Sequence, residues 1–280
     1  MLMKVSFLIT VRQADRYRQR NLDMTLAWYR TFSPPGCKIE FVVVEQDSRP
    51  RIELTRDNPE VSWSFVYNHG AFNKAWGMNI AATRSDGEVL ALLDSDVLVD
   101  HTILNASIHS LKGNYDVISP YESLVDLSNQ HTEDLRQNMS TASTFFGLPA
   151  QDRRHESENL CFCGGLFLIE RSFFFSIGGM DEDFRGWGCE DDAMTLKILA
   201  FSCRTATGKS RPALHLWHPR ARKSMQDNDY TRNRELLTSY YSLSREGWES
   251  LVETQKMSMG RPDRYQLTSP TGLGSVAGNR

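Results

Sequence analysis

Apolar, β-branched runs alternate with helix-spaced segments through the first hundred residues, and this alternation limits the fold more than any other feature. Val5-Ser-Phe-Leu-Ile-Thr-Val11, Ile39-Glu-Phe-Val-Val-Val44, Val61 to Tyr67 and Val89-Leu-Ala-Leu-Leu93 read as four strands. Between them, Arg12 to Phe32 has helical spacing at Tyr17, Leu22, Leu26 and Tyr29 and stops at Ser33-Pro-Pro-Gly36. Phe72 to Thr83 reads as a second helix, closed by Ser85-Asp-Gly87. Strands separated by helices pair in parallel and are covered on both faces. The expectation is an α/β fold with a single central, mostly parallel sheet flanked by helices. Ligands of such sheets gather beyond the carboxyl ends of the strands, where Arg12, Glu45 to Asp47 and Asp94 to Asp96 fall.

The rest of the chain is less regular. Residues 121–159 are polar and poorly periodic, and read as a long mobile excursion partly covering the site. Leu166 to Ile169 resumes the strand signal after Gly164-Gly165, residues 229–257 read as helical, and 258–280 as a disordered tail. The folded unit is then one domain, 1–257. A net charge of -3 gives no reason to expect nucleic acid as the main partner. No run has the length of a membrane span, which leaves peripheral association through a partner, and the N-terminus lacks a signal-peptide layout. Five cysteines without a CxxC motif fit reduced thiols and a cytoplasmic location.

Chemistry concentrates in two places. Asp94-Ser-Asp96 directly follows a buried strand, where two carboxylates one residue apart can share a divalent cation such as Mg or Mn. His215-Leu-Trp-His218 follows Ala213-Leu214. Positions three apart on a strand face different ways, so one histidine is expected as a ligand, His215 before its alternative His218. Imidazole beside carboxylates favours Mn2+ over Mg2+. Arg12 and Lys74 are charge partners for a phosphate on that ion; Arg222 fits a solvated surface better. From 178 to 192 the chain reads Gly-Gly-Met-Asp-Glu-Asp-Phe-Arg-Gly-Trp-Gly-Cys-Glu-Asp-Asp. A helix entry uses one or two acids, not six. Carboxylates beside an exposed indole on a glycine-flanked loop suit a polyhydroxylated ligand.

Taken in order from residue 5 to about 235, these segments resemble a GT-A-fold glycosyltransferase, above all the β-1,4-galactosyltransferase family and its bacterial glycosyltransferase family 2 relatives. Val11-Arg12 is similar to a nucleotide-contacting Pro-Phe-Arg segment, without the proline. Glu45-Gln46 resembles the second-strand end, and Phe72-Asn73-Lys74-Ala75 with Asn79 a Phe-Asn-Arg-Ala…Asn helix whose aromatic and basic residues contact the uridine nucleotide. Asp94-Ser-Asp96 matches the Asp-x-Asp metal motif, Gly164-Gly165 the Gly-Gly beside the donor sugar, and His215 the metal-binding histidine. Gly186-Trp-Gly-Cys-Glu-Asp-Asp192 is close to Gly-Trp-Gly-Gly-Glu-Asp-Asp, with Cys189 in place of a glycine. Residues 121–159 have no counterpart, so acceptor recognition does not carry over.

The resemblance implies a nucleotide-binding half, 1–100, and an acceptor and catalytic half, 101–257. It implies transfer of a hexose (galactose, N-acetylgalactosamine or glucose) from a UDP-sugar to a carbohydrate hydroxyl with inversion, as in polysaccharide or glycoconjugate synthesis. Arg12, Glu45, Phe72, Lys74, Asp94, Gly164, Gly165 and Trp187 would hold the donor, and Asp94, Asp96 and His215 a Mn2+ or Mg2+ ion. Asp191 would be the general base, Glu190 would position the acceptor, and Asp192 is better explained as a helix-entry residue. A retaining GT-A transferase is one alternative, although polypeptide N-acetylgalactosaminyltransferases tend to carry Asn after the Glu. A non-catalytic sugar- or nucleotide-binding module is another. A nucleotidyltransferase would want a Gly-rich basic loop, which Arg12-Gln-Ala-Asp15 is not.

Overall fold

Each apolar run of the first hundred residues becomes a strand of one sheet. The computed structural model describes residues 2–12, 15–32, 34–53, 60–152, 163–219 and 228–266. Through residue 93 the order is β1 (Met3–Val11), α1 (Arg16–Arg30), β2 (Cys37–Asp47), β3 (Val61–Tyr67), α2 (Lys74–Arg84) and β4 (Val89–Leu93). The four strands pair in parallel, β1 between β2 and β4, and β3 outside β2. Asp15 starts α1 by accepting from the backbone N–H groups of Tyr17 and Arg18, and Asn73 caps α2 through Trp76 N–H. Period-two alternation then divides the core. Phe7, Ile9, Phe41 and Val43 face Leu22, Leu26 and Tyr29 of α1, while Leu8, Val42, Val44, Leu90 and Leu92 face Ala75, Trp76 and Met78 of α2.

The second half adds β5 (Val97–Leu98), α3 (His101–Asn114), β6 (Val117–Ser119), β7 (Ser123–Asp126), α4 (Asn129–Gln137), α5 (Ala142–Phe145), β8 (Gln151–Asp152), β9 (Leu166–Glu170), α6 (Arg171–Ser176), α7 (Glu190–Phe201), β10 (Thr205–Thr207), β11 (Ala213–His215), α8 (Asn228–Tyr240) and α9 (Arg245–Ser258). The main sheet has seven strands in the order β10-β6-β9-β4-β1-β2-β3. Only β9 runs against its neighbours, β4 and β6.

Three expectations need correction. The single sheet is joined by a second, four-stranded one, β5-β11-β7-β8. Residues 121–152, expected as an irregular excursion, supply two of its strands and two helices. Their apolar residues Val125, Leu127, Leu135, Ala142, Phe145 and Phe146 are buried in the core shared with α1. Each short element gives only one or two of them, so no period is visible along the chain. Residues 153–159 of that excursion lie outside the described residues.

Residues 229–257, expected as helical, form two helices. Tyr240 ends one, and Ser244 starts the other by accepting from Gly247 N–H. Third, residues 258–266 of the expected tail are fixed to the core. Trp76 Nε1 donates to Arg261 O at 2.8 Å, Gly260 N–H to Glu182 Oε1 at 2.6 Å, and Arg264 Nη1 to Glu182 Oε2 at 3.0 Å. Two of these anchors are bonds to the buried acid Glu182 and one joins an indole N–H to a backbone carbonyl, which composition does not reveal. Residues 267–280 lie outside the described residues.

Candidate active site

Antiparallel pairing of β4 with β9 sets Leu93 opposite Leu166 and so joins two of the motifs. Asp94 N–H donates to Gly165 O at 2.7 Å, and Gly165 N–H returns a bond to Asp94 Oδ2 at 3.1 Å. Gly165 has φ +67, and a Cβ there would stand 1.9 Å from Tyr121 Oη. That hydroxyl accepts from Leu166 N–H at 3.0 Å and donates to Gly164 O at 3.3 Å. Glycine is therefore required by both backbone angle and space.

Lys74, the first residue of α2, reaches across this unit. Its Nζ lies 2.9 Å from Asp94 Oδ1 and 3.1 Å from both carboxylate oxygens of Asp191 in the first turn of α7. Burial works against the ammonium, yet Asp191, Asp94 and Glu190 hold it charged, well above the usual lysine range. Glu190 next door goes the opposite way. Burial and the charge of Asp191 push its carboxyl up to about 7 despite Lys74. The two adjacent acids therefore differ: Lys74 pairs with both oxygens of Asp191, while the Glu190 carboxyl is raised. Cys189, before them, has φ 71, the only positive φ at a non-glycine among the described residues. Its thiol is pushed up to about 11, chiefly by burial, away from the thiolate form. Asp192 shares the first turn of α7 with Glu190 and Asp191, where a carboxylate meets the positive helix end.

Asp96 belongs to a second cluster. β5 pairs antiparallel with β11, His215 opposite Val97, and Leu216 N–H donates to Asp96 O at 2.8 Å. Asp96, His215 and His218 each offer one ligand atom, all within 4.8 Å of one another. The strand ends at His215, so the period-two argument against both histidines stops applying and the chain turns His218 back. His215 Nε2 lies 3.8 Å from Asp96 Oδ1, and His218 Nε2 3.4 Å from Oδ2. The opposite ring nitrogens are already used: His215 Nδ1 bonds Asp126 at 2.8 Å, and His218 Nδ1 bonds Pro219 O at 3.0 Å. A carbonyl only accepts, so His218 carries its proton on Nδ1 and turns a lone pair toward Asp96. Burial keeps that imidazole below the usual histidine range, favouring the neutral ligand form. One carboxylate and two imidazoles, one of them braced by a carboxylate, fit Mn2+ better than Mg2+. Asp94, expected as a ligand, lies outside this group and is occupied by Lys74 and Gly165 N–H.

Trp187 is 54% exposed, with its ring centroid 5.4 Å from that of Tyr230 on α8. Asn233, one turn further along α8, holds the loop from below: its Nδ2 donates to Arg185 O at 2.8 Å and Gly188 O at 3.0 Å. A Cβ on Gly188, φ +101, would press to 3.0 Å from the Tyr230 ring. Gly186 N–H bonds Phe72 O at 2.8 Å, linking this loop to the start of α2.

Comparison with known proteins accords with this arrangement. Residues 148–218 match a family model described as the N-terminal domain of galactosyltransferase. N-acetylgalactosaminyltransferase 6 of Drosophila melanogaster is 29% identical over 127 residues, 42% of this chain and 19% of that protein. The chain spans 19% to 29% of the lengths of the curated relatives it matches. Among solved structures, GalNAc-T7 with UDP, GalNAc and Mn2+ superposes with a TM-score of 0.58 at 17% identity, over 85% of this chain and 48% of the other. A mutant Drosophila β1,4-galactosyltransferase 7 with manganese, UDP-Gal and xylobiose gives 0.50 at 14% identity, over 83% and 79%. The chain has the GT-A glycosyltransferase fold and is related to glycosyltransferases.

Within the GT-A frame, several expected donor residues do structural work. The Arg12 guanidinium gives Nε to Gln46 O at 2.9 Å, Nη1 to Gly70 O at 2.8 Å and Nη2 to Asn68 O at 3.1 Å, with Phe72 at 5.9 Å. Three carbonyls thus occupy the group expected to meet phosphate. Glu45 is fully buried and accepts from the backbone N–H groups of Arg51 and Ile52, fixing the turn after β2. Asn79 ties α2 to Met180 and Glu182. Arg222 lies outside the described residues.

Sequence reasoning missed Asp126, Asn233 and Lys197, and it placed Gln46 at a strand end without a role. Gln46 accepts from Asn68 Nδ2 and Asn73 N–H and donates to Thr10 Oγ1 and Asn73 O, locking the mouth of the sheet. Lys197 is fully buried, bonded to Gly179 O and Gln255, with its ammonium pushed down to about 8 by burial. A polar residue within an apolar helix was the available signal for Lys197; Asp126 carried none.

Proposed function

We propose that the protein is a Mn2+-dependent glycosyltransferase that moves a hexose from a UDP-sugar to a carbohydrate hydroxyl with inversion, in polysaccharide or glycoconjugate synthesis in the cytoplasm. One observation carries the reading: a trio able to hold a cation (Asp96, His215, His218) lies beside a lysine-bridged pair of acids from separate motifs (Asp94, Asp191). Relatives that are transferases, and neighbours solved with UDP, Mn2+ and sugars, support the same class.

Asp96, His215 and His218 would hold the ion, which when bound neutralises charge developing on the departing diphosphate. Lys74 stands between donor and acceptor sides. A diphosphate reaching it competes with Asp191 for the ammonium, and a released Asp191 is free to take the proton of the attacking hydroxyl. Glu190 orients the acceptor, and Trp187 covers the sugars and excludes water. Gly165, packed against Tyr121, would hold Asp94 in place beside the donor.

A second reading gives the base to Glu190, favoured by its carboxyl near 7 while Lys74 holds both oxygens of Asp191. The test is a panel of UDP-sugars screened for Mn2+-dependent UDP release with and without acceptor sugars, the product's anomeric configuration read by NMR. No release with any donor would overturn the proposal, and a retained anomeric configuration would replace inversion by retention.

A further inference from the structure

Arg18 lies on the cation side of the site and belongs to none of the motifs. It sits in the first turn of α1, its backbone N–H bonded to the Asp15 cap. Its Nη1 donates to Asp96 Oδ2 at 2.9 Å, the oxygen that faces His218 Nε2 at 3.4 Å. Asp96 is only 5% exposed. A buried carboxylate is unfavourable without a positive charge beside it. The guanidinium supplies that charge on the oxygen that faces His218 within the candidate cation site. Contact with Asp96 engages one of the five N–H donors of an arginine. The Arg18 side chain keeps 32% exposure, unlike Arg12, whose donors are held by three carbonyls.

Building on the metal and UDP-sugar reading above, we propose that Arg18 is an exchangeable cation: it holds Asp96 while the metal is absent, and is released to the donor diphosphate when the metal takes its place. A divalent ion and a guanidinium both on Asp96 Oδ2 repel, so Arg18 has to leave that oxygen for the ion to bind. A planar fork of donors beside a diphosphate then finds a bidentate anion. Metal alone meets a competitor; metal with nucleotide meets a helper. The two ligands are thereby coupled, and each raises the affinity of the other by the same factor. Arg18 is in this sense a phosphate-binding residue that neither Arg12 nor a glycine-rich loop provides here.

The test measures Mn2+ binding to the metal-free full chain by loss of the free-ion EPR signal, with and without saturating UDP. Wild type is compared with Arg18→Gln and Arg18→Ala, each checked for fold by circular dichroism. Both variants should bind Mn2+ alone on the order of fivefold more tightly than wild type, and UDP should tighten their Mn2+ binding by a factor roughly five- to tenfold smaller. Equal or weaker Mn2+ binding by the variants without nucleotide, or an unchanged UDP effect, overturns the proposal. A wild type that binds neither Mn2+ nor UDP overturns the glycosyltransferase reading itself. Normal wild-type binding with indistinguishable variants removes only the role of Arg18.

Discussion

Lys74 Nζ stands 3.1 Å from each carboxylate oxygen of Asp191, although the two residues come from helices 117 positions apart in the chain. The same ammonium reaches Asp94 at 2.9 Å. One side chain thus couples the end of β4 to the start of α7.

Replacing Lys74 by Met leaves two carboxylates facing each other in a half-buried site. Loss of one partner from such a pair costs on the order of 3 kcal/mol, since the remaining charges are uncompensated. Urea unfolding at pH 7 should register this loss, and UDP-sugar turnover should fall by about a hundredfold or more as donor positioning is lost. Wild-type turnover in Lys74→Met would remove the lysine from the reaction.

The Glu190 carboxyl, raised to about 7, gives a pH signature. A carboxylate's ordinary value lies near 4.3, so its folded-state value exceeds its unfolded one. The favourable contribution is complete below about pH 4 and is lost as pH rises through about 7. Metal-free wild type should therefore lose stability from pH 5 to pH 8 relative to Glu190→Gln, which has no charge to bury. Parallel pH dependences of the two melting temperatures would count against the raised value.

Asp126 bonds His215 Nδ1 at 2.8 Å and fixes which ring nitrogen faces Asp96. Carboxylates in this position typically change metal affinity by about 10- to 100-fold. Asp126→Asn should weaken Mn2+ binding within that range with little effect on the unfolding midpoint of the metal-free protein. His218→Ala should weaken it further, in calorimetric titrations at one pH. Unchanged affinity in His218→Ala would leave Asp96 and His215 as the protein ligands.

How much of this was legible in the sequence follows from the range of each interaction. β1 to β4 and both early helices were visible because each hides a continuous apolar run or stripe, a local property. Asp94, Glu190 and Asp191 were visible as motifs. Their partners were not, since Lys74 to Asp191 or Asp96 to His218 depends on tertiary pairing such as β4 with β9 and β5 with β11. The approach of both histidines to Asp96 was not legible because the strand period was extended past the strand's end. Residues 121–152 were misread because their apolar residues serve a core completed by other elements. Arg12 and Glu45 sit at the expected strand ends, yet backbone groups of neighbouring loops occupy their charged ends, and no one-dimensional pattern carries that information.

The Trp187 loop makes the last prediction. Asn233, fully buried, is its hold from α8, through Arg185 O and Gly188 O. Asn233→Ala strands two carbonyls, each loss costing about 1 to 3 kcal/mol if water does not replace the bond. Most of that cost falls on the loop, because Phe184, Tyr240 and Trp248 still pack the helices behind it. Trp187 should then become more mobile, with lower fluorescence anisotropy. The acceptor KM should rise several-fold while UDP affinity stays near wild type, because the nucleotide half keeps its own supports at Gln46 and Lys74. A loop that carries the lid but is fixed from α8 predicts this split between acceptor and donor. Equal losses in both would mean that Asn233 supports the whole domain.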